Sequence, residues 1–184
     1  MKKSILIVVA TLFVGFGATA QDKLVSKDSH INFFSHTALE DISSNNYSVV
    51  STLEPSTGAV VYSVTMQSFE FEKAKMQQHF NSNKFLDTKQ FPKAKLKAKI
   101  TNLSDIDFAT NGTYDATIAG ELIIHGVTQA ISEKGTITVS DGQVQVDAKM
   151  KVTLGDYKIA FEKGKPSTNI AKEIDVTIKS IYKK

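Results

Sequence analysis

The sequence predicts an all-β domain of antiparallel strands. Three observations lead to that expectation. Apolar and polar residues alternate with a period of two along most of the chain beyond residue 20. Glycine- and proline-bearing turns separate the alternating runs. Only two stretches, 72–81 and 155–172, break the pattern.

The chain opens differently. Met1-Lys2-Lys3 is a short basic head, the run from Ser4 to Gly17 is almost unbroken apolar sequence, and Ala18-Thr19-Ala20 is a small-x-small cleavage pattern. Residues 1–20 therefore read as a secretory signal peptide, too short for a stable membrane anchor. The mature chain is expected to begin at Gln21, to work outside the cytoplasm and to contain no integral membrane segment.

The elements follow in order. Glu54-Pro55-Ser56-Thr57-Gly58 is a turn dividing strand-like runs at 47–53 and 59–66. Residues 72–81 lack β-branched side chains and set Met76 and Phe80 on one helical face at i, i+4, which predicts a short helix. Ala94, Leu96, Ala98 and Ile100 alternate with Lys93, Lys95, Lys97 and Lys99, as one apolar and one wet face of a strand. On that reading the lysines also discourage edge-to-edge pairing. Asn111-Gly112 precedes a strand in which Tyr114, Ala116, Ile118, Gly120, Leu122 and Ile124 share the apolar face. Asp141-Gly142 between runs at 131–139 and 144–154 is a hairpin signal. Residues 155–172 read as a long loop with one helical turn. The last strand carries Ile174, Val176, Ile178 and Tyr182 on one face.

Eight or so such strands joined by short turns can form a sandwich or a closed barrel. Small residues on the apolar faces (Ala94, Ala98, Ala116, Gly120, Ala148) favour a barrel with room inside. Residues 21–184 are read as one domain, since 164 residues suffice for a single core.

Composition excludes several function classes. Without Lys2 and Lys3 the chain has 20 basic against 19 acidic residues, a net charge of +1. Nucleic-acid binding depends on phosphate neutralisation and is not expected. There is no cysteine, so disulfides and a lipid-modified cysteine anchor are excluded. His30, His36, His79 and His125 show no metal-ligand spacing. Asp105-Ile106-Asp107 reads as loop charge rather than a cation site. No G-x-S-x-G elbow and no glycine-rich phosphate loop is present, so neither enzyme activity nor a cofactor is expected.

The apolar side is richer. Phe69, Phe71, Phe80, Phe85 and Phe91 fall within 23 residues around the predicted helix, with Phe33-Phe34 upstream. They fill a core or line a cavity for an elongated apolar molecule.

Two motifs resemble the YceI family. The first runs Gln78-His79-Phe80-Asn81-Ser82-Asn83-Lys84-Phe85-Leu86-Asp87 and then Gln90-Phe91-Pro92-Lys93-Ala94-Lys95-Leu96. The second is Gly120-Glu121-Leu122-Ile123-Ile124-His125-Gly126-Val127-Thr128-Gln129. The resemblance implies an eight-stranded, lipocalin-like antiparallel barrel with one short helix after the third strand. It also implies a bacterial periplasmic or secreted protein that holds a polyisoprenoid or similar fatty amphiphile in its lumen. The lumen is then expected to be lined by Phe69, Phe71, Met76, His79, Phe80, Phe85, Leu96, Tyr114, Ala116, Ile118, Gly120, Leu122 and Met150. The alternative is a ligand-free envelope interaction module whose barrel is filled by side chains. Oligomeric state and ligand identity have no signature in the sequence.

Overall fold

The computed structural model describes residues 23–159 and 169–184. The expected signal peptide lies outside the described residues, as does half of the expected loop at 155–172.

The described residues form one antiparallel sheet of eleven strands. In chain order these are β1 (Leu24–Ser26), β2 (Asp28–His36), β3 (Asp41–Asn46), β4 (Val49–Glu54), β5 (Ala59–Thr65), β6 (Glu70–Phe71), β7 (Lys93–Ile100), β8 (Gly112–Ile124), β9 (Val127–Ser140), β10 (Gln143–Thr153) and β11 (Glu173–Lys183). A single α-helix among them, α1 (Ala74–Asn81), follows β6. The spatial order is β1-β4-β5-β7-β8-β9-β10-β11-β2-β3-β6.

Only Lys27 separates β1 from β2. This bent segment pairs with β4 through Leu24–Ser26 and with β11 through its second part, so it meets both flanks of the intervening strands. The sheet consequently curls around one interior. Buried hydroxyls hold the bend: Ser29 Oγ lies 3.3 Å from Ser26 Oγ and 3.1 Å from Ser51 Oγ.

The strand count differs from the eight expected, and the helix follows the sixth strand rather than the third. The physical reason is local. β1 and β6 are only three and two residues long, and β3 is rich in serine and asparagine, so none of them has enough apolar positions to display a period. The β7 lysines do not guard a sheet edge. β7 lies between β5 and β8, so Lys93, Lys95, Lys97 and Lys99 cover the outside of an inner strand.

The alternation of β7 is complete in burial, with every second residue buried from Ala94 to Ile100. Register then aligns the inward faces: Tyr62 opposes Leu96, which opposes Leu122, and one level further Val60 opposes Ala98, which opposes Gly120. At Gly120 an added Cβ would lie 2.2 Å from the Lys97 carbonyl oxygen and 2.7 Å from Ala98 Cβ. At Gly135 it would lie 2.6 Å from the Asp147 carbonyl oxygen. These small residues permit close backbone approach in a strongly curled sheet. They do not leave the room that the sequence reading assigned to Gly120.

The two motifs meet in space. His125 and Gly126 form the two-residue turn between β8 and β9, with φ of 51° and 73°. Positive φ at both positions is what a type I′ hairpin turn needs. An added Cβ at Gly126 would meet the Phe91 ring at 2.7 Å, and that ring packs edge-on against His125 at 4.6 Å. In the first motif Asp87 adopts φ 41°, its N–H donates to the Ser82 carbonyl at 2.8 Å, and fully buried Thr88 donates to Asn81 Oδ1 at 2.9 Å. Both motifs therefore shape the backbone at one end of the sheet.

Candidate functional site: an apolar cavity in one half of the sheet

Among the long strands β5, β7, β8, β10 and β11 bring inward residues to a common cavity and stop contributing at nearly the same level, whereas β9 contributes none. β5 lines it with Val64 and Tyr62, but not Val60. β7 contributes Ala94 and Leu96, but not Ala98; β8 contributes Ile124 and Leu122, but not Gly120. β10 and β11 add Val152, Met150, Val176 and Ile178, but neither Ala148 nor Ser180. The volume is about 170 Å³. The walls are almost wholly hydrocarbon, the chemistry of a site for an apolar group.

The opposite half of the interior is solid. Leu53, Val139, Val144 and Tyr182 are at most 2% exposed and none of them lines the cavity. The interior is thus hollow at the α1 end and filled at the other.

Aromatic rings gather at the hollow end. Phe80, on the buried face of α1, stands 4.9 Å from Phe71, 5.4 Å from Phe69 and 5.8 Å from Phe33, ring centre to ring centre. Phe85 joins at 6.2 Å from Phe80 and packs on His79 at 5.3 Å. Such tilted, edge and stacked contacts add specific attraction to the burial of large apolar area. α1 exists because a single apolar stripe, Met76 and Phe80, closes over these rings.

Beneath the cavity floor lies a hydroxyl cluster. Tyr182 Oη donates to Tyr62 Oη at 3.4 Å, and Ser51 and Ser180 are fully buried beside them. Ser180 Oγ adjoins Tyr62 but completes no hydrogen bond. Burial pushes both tyrosines above the ordinary phenol range, and for Tyr182 the neighbouring Tyr62 adds to the effect. Both are neutral at physiological pH, so the layer beneath the floor is polar but uncharged.

Of the residues expected to line the lumen, Phe69, Phe71, Met76, His79, Phe80, Phe85, Leu96, Leu122 and Met150 surround this cavity. Tyr114, Ala116, Ile118 and Gly120 do not. All four lie on the first part of β8, below the level at which the cavity closes; Ala116 is buried in the filled half. Period two gives the face of a strand but not the depth, and β8 is thirteen residues long. Phe33, Tyr62 and Ile178 also line the cavity and stand outside the expected lining set. Tyr62 alternates with Val60 and Val64, and Ile178 follows Ile174 and Val176 at the same period, a signal present in the sequence.

The remaining polar candidates are dispersed. His30 stacks on Tyr47 at 4.6 Å, His36 pairs with Asp41 at 2.5 Å, and His125 Nδ1 lies 3.2 Å from the Tyr157 carbonyl oxygen. Asp107 accepts from the Ala109 N–H at 2.8 Å and the Thr110 hydroxyl at 2.6 Å. These loop bonds, the Thr110 hydroxyl first, hold its carboxyl below the usual range. Among the described residues no three His, Asp or Glu side chains gather as a metal site would require.

Comparison with known proteins agrees with this architecture. The family model of the YceI-like domain matches residues 23–181. A UPF0312 protein of Shewanella denitrificans is 28% identical over 133 residues, covering 68% of this chain and 64% of that protein, so the chain spans just under two thirds of it. A UPF0312 protein of Pseudomonas putida strain W619 is 24% identical over 166 residues, covering 86% of this chain and 80% of its own length. Among solved structures, a polyisoprenoid binding domain from Saccharophagus degradans, implicated in plant cell wall breakdown, superposes with TM-score 0.72 at 13% identity over 88% of this chain and 97% of that one. BcnA of Burkholderia cenocepacia gives TM-score 0.69 at 14% identity, over 83% and 95%. At these identities the superpositions establish the fold.

Proposed function

The chain belongs to the YceI-like family, and from that premise we propose that it is a lipid-binding protein that holds an isoprenoid-like or fatty amphiphile in its cavity without changing it chemically. The observation that supports this is the hydrocarbon wall around an unfilled interior space. Each methylene moved from water into such a space contributes about 0.8 kcal/mol, so a chain binds well without strong polar contacts. The likeness in fold to a polyisoprenoid binding domain supports the same class of ligand.

We place its action outside the cytoplasm, in the periplasm or beyond. The basic, apolar and small-residue tripartition of residues 1–20 supports export. Among the described residues no helix is long and apolar enough to cross a membrane.

A second reading has its own support. The filled half, with Leu53, Val144 and Tyr182 fully buried, is what a ligand-free envelope module would have throughout. Native mass spectrometry of protein recovered from its own compartment, with organic extraction of the same sample, separates the two. An adduct of lipid mass is expected; a bare polypeptide that also takes up no added amphiphile favours the ligand-free module.

A further inference from the structure

The cavity has a floor, and Tyr62 is the largest side chain at that level, which Leu96 and Leu122 share. Tyr62 is 3% exposed, its ring lines the cavity, and the inward neighbour below it on the same strand, Val60, does not. The ring is anchored from beneath by its hydroxyl, which accepts from Tyr182 at 3.4 Å among buried Ser51 and Ser180. Leu96 and Leu122 lie beside it on the paired strands and complete the level. Below that level the interior is packed with Leu53, Val144 and Tyr182, each 0% exposed.

We propose that Tyr62 is the stop that sets the length of hydrocarbon chain this protein accepts. The pocket is blind. A chain enters from the α1 end, runs between the walls of β5, β7, β8, β10 and β11, and ends with its terminal methyl against the Tyr62 ring. Its polar head stays at the α1 end, because the floor hydroxyls lie beneath that ring. Depth then discriminates between ligands. Methylenes that fit gain hydrophobic burial, and those beyond the stop remain in water and gain nothing. Tyr182 acts through Tyr62 as a positioning residue.

This inference rests on the lipid-binding reading, and a series of n-alkanols of increasing length distinguishes the two. Wild-type affinity, measured by displacement of a fluorescent fatty-acid probe, should rise about fourfold per added methylene and then level off. Tyr62→Ala should move the plateau to longer chains, with the alkanol two methylenes past the wild-type plateau bound at least about tenfold tighter than by wild type. Tyr62→Phe keeps the ring and should leave the plateau where it is. A wild-type series with no plateau, or an unmoved plateau in a folded Tyr62→Ala protein, overturns the stop. Failure of wild type to bind any alkanol overturns the lipid-binding reading itself. Should Tyr62→Ala not fold, the wild-type protein still decides. Nuclear Overhauser contacts from the terminal methyl of a bound alkanol should reach the Tyr62 ring. Contacts from that methyl to His79 or Phe85 instead overturn the proposal.

Discussion

Lys149 and Met150 are adjacent in β10 yet stand on opposite faces, Lys149 exposed and Met150 on the cavity wall at 8% exposure. Met150→Asp puts a carboxylate into a hydrocarbon wall with no partner, which costs several kcal/mol unless it takes up a proton. Lys149→Asp changes a solvated face and should alter stability by no more than about 0.5 kcal/mol. Thermal melts of the two variants should differ widely; equal midpoints would mean the register is misassigned. The buried tyrosines give a second test. The folded state keeps Tyr62 and Tyr182 protonated above the ordinary phenol range, chiefly through burial. Their stabilising contribution is complete below a pH of about 10 and is lost progressively as pH rises from there towards the higher folded-state value, the range in which only the unfolded chain ionises. Each such tyrosine adds a slope of about 1.4 kcal/mol per pH unit. Denaturant titrations above pH of about 10 should therefore show a shallower loss of stability for Tyr182→Phe than for wild type, whatever its effect at neutral pH.

At the scale of elements, the β8–β9 hairpin joins both sequence motifs. Its turn needs positive φ at His125 and Gly126, and Gly126 also makes room for the Phe91 ring. Gly126→Ala combines a left-handed residue, about 1–2 kcal/mol, with a ring that must move. It should destabilise by about 2 kcal/mol in a chemical melt. Phe91→Ala introduced alongside it should make the added cost smaller than at Gly126 alone, because the collision is gone. Gly120 behaves differently from what its place on an apolar face suggests. A side chain there meets the Lys97 and Ala98 backbone rather than ligand. Gly120→Ala should lower stability by about 1–3 kcal/mol and leave the chain-length preference unchanged in a titration, since the cavity closes one level above it.

For the whole molecule, the division into a filled and a hollow half predicts unequal stability. Amides of β8 and β9 near Tyr114, Ala116, Ile137 and Val139 belong to the solid half, whereas those around Ile124, Val152 and Ile174 border empty space. Hydrogen exchange should be slower in the first set without ligand, because opening there breaks complete packing. A bound amphiphile stabilises the native state by RT ln(1 + [L]/Kd), about 2.7 kcal/mol at a hundredfold excess over Kd. The added protection should concentrate in the second set. A uniform gain across both halves would show that ligand tightens the sheet as a unit rather than filling one end.

Much of this molecule is legible in its residues, and the limit is physical. Strand identity, face and several turns follow from nearest-neighbour chemistry. Lys93 to Ile100 alternates without a break, Asp141-Gly142 turns the chain back, and Met76 with Phe80 announces the helix. Family membership is legible for the same reason, since Phe91-Pro92 and His125-Gly126 are local backbone requirements. Short polar strands such as Asp41–Asn46 were not legible, because pairing rather than pattern makes them strands. Depth along the interior was not legible either. Whether Gly120 or Leu122 faces a ligand depends on where eleven strands curl closely enough to touch, and on which level Tyr182 fills from below. By itself the sequence determined an antiparallel apolar-cored sheet of a recognisable family, through interactions a few residues apart. Only the tertiary structure decided that half the interior is hollow and ends at Tyr62, because a cavity is a property of surfaces brought together from across the chain.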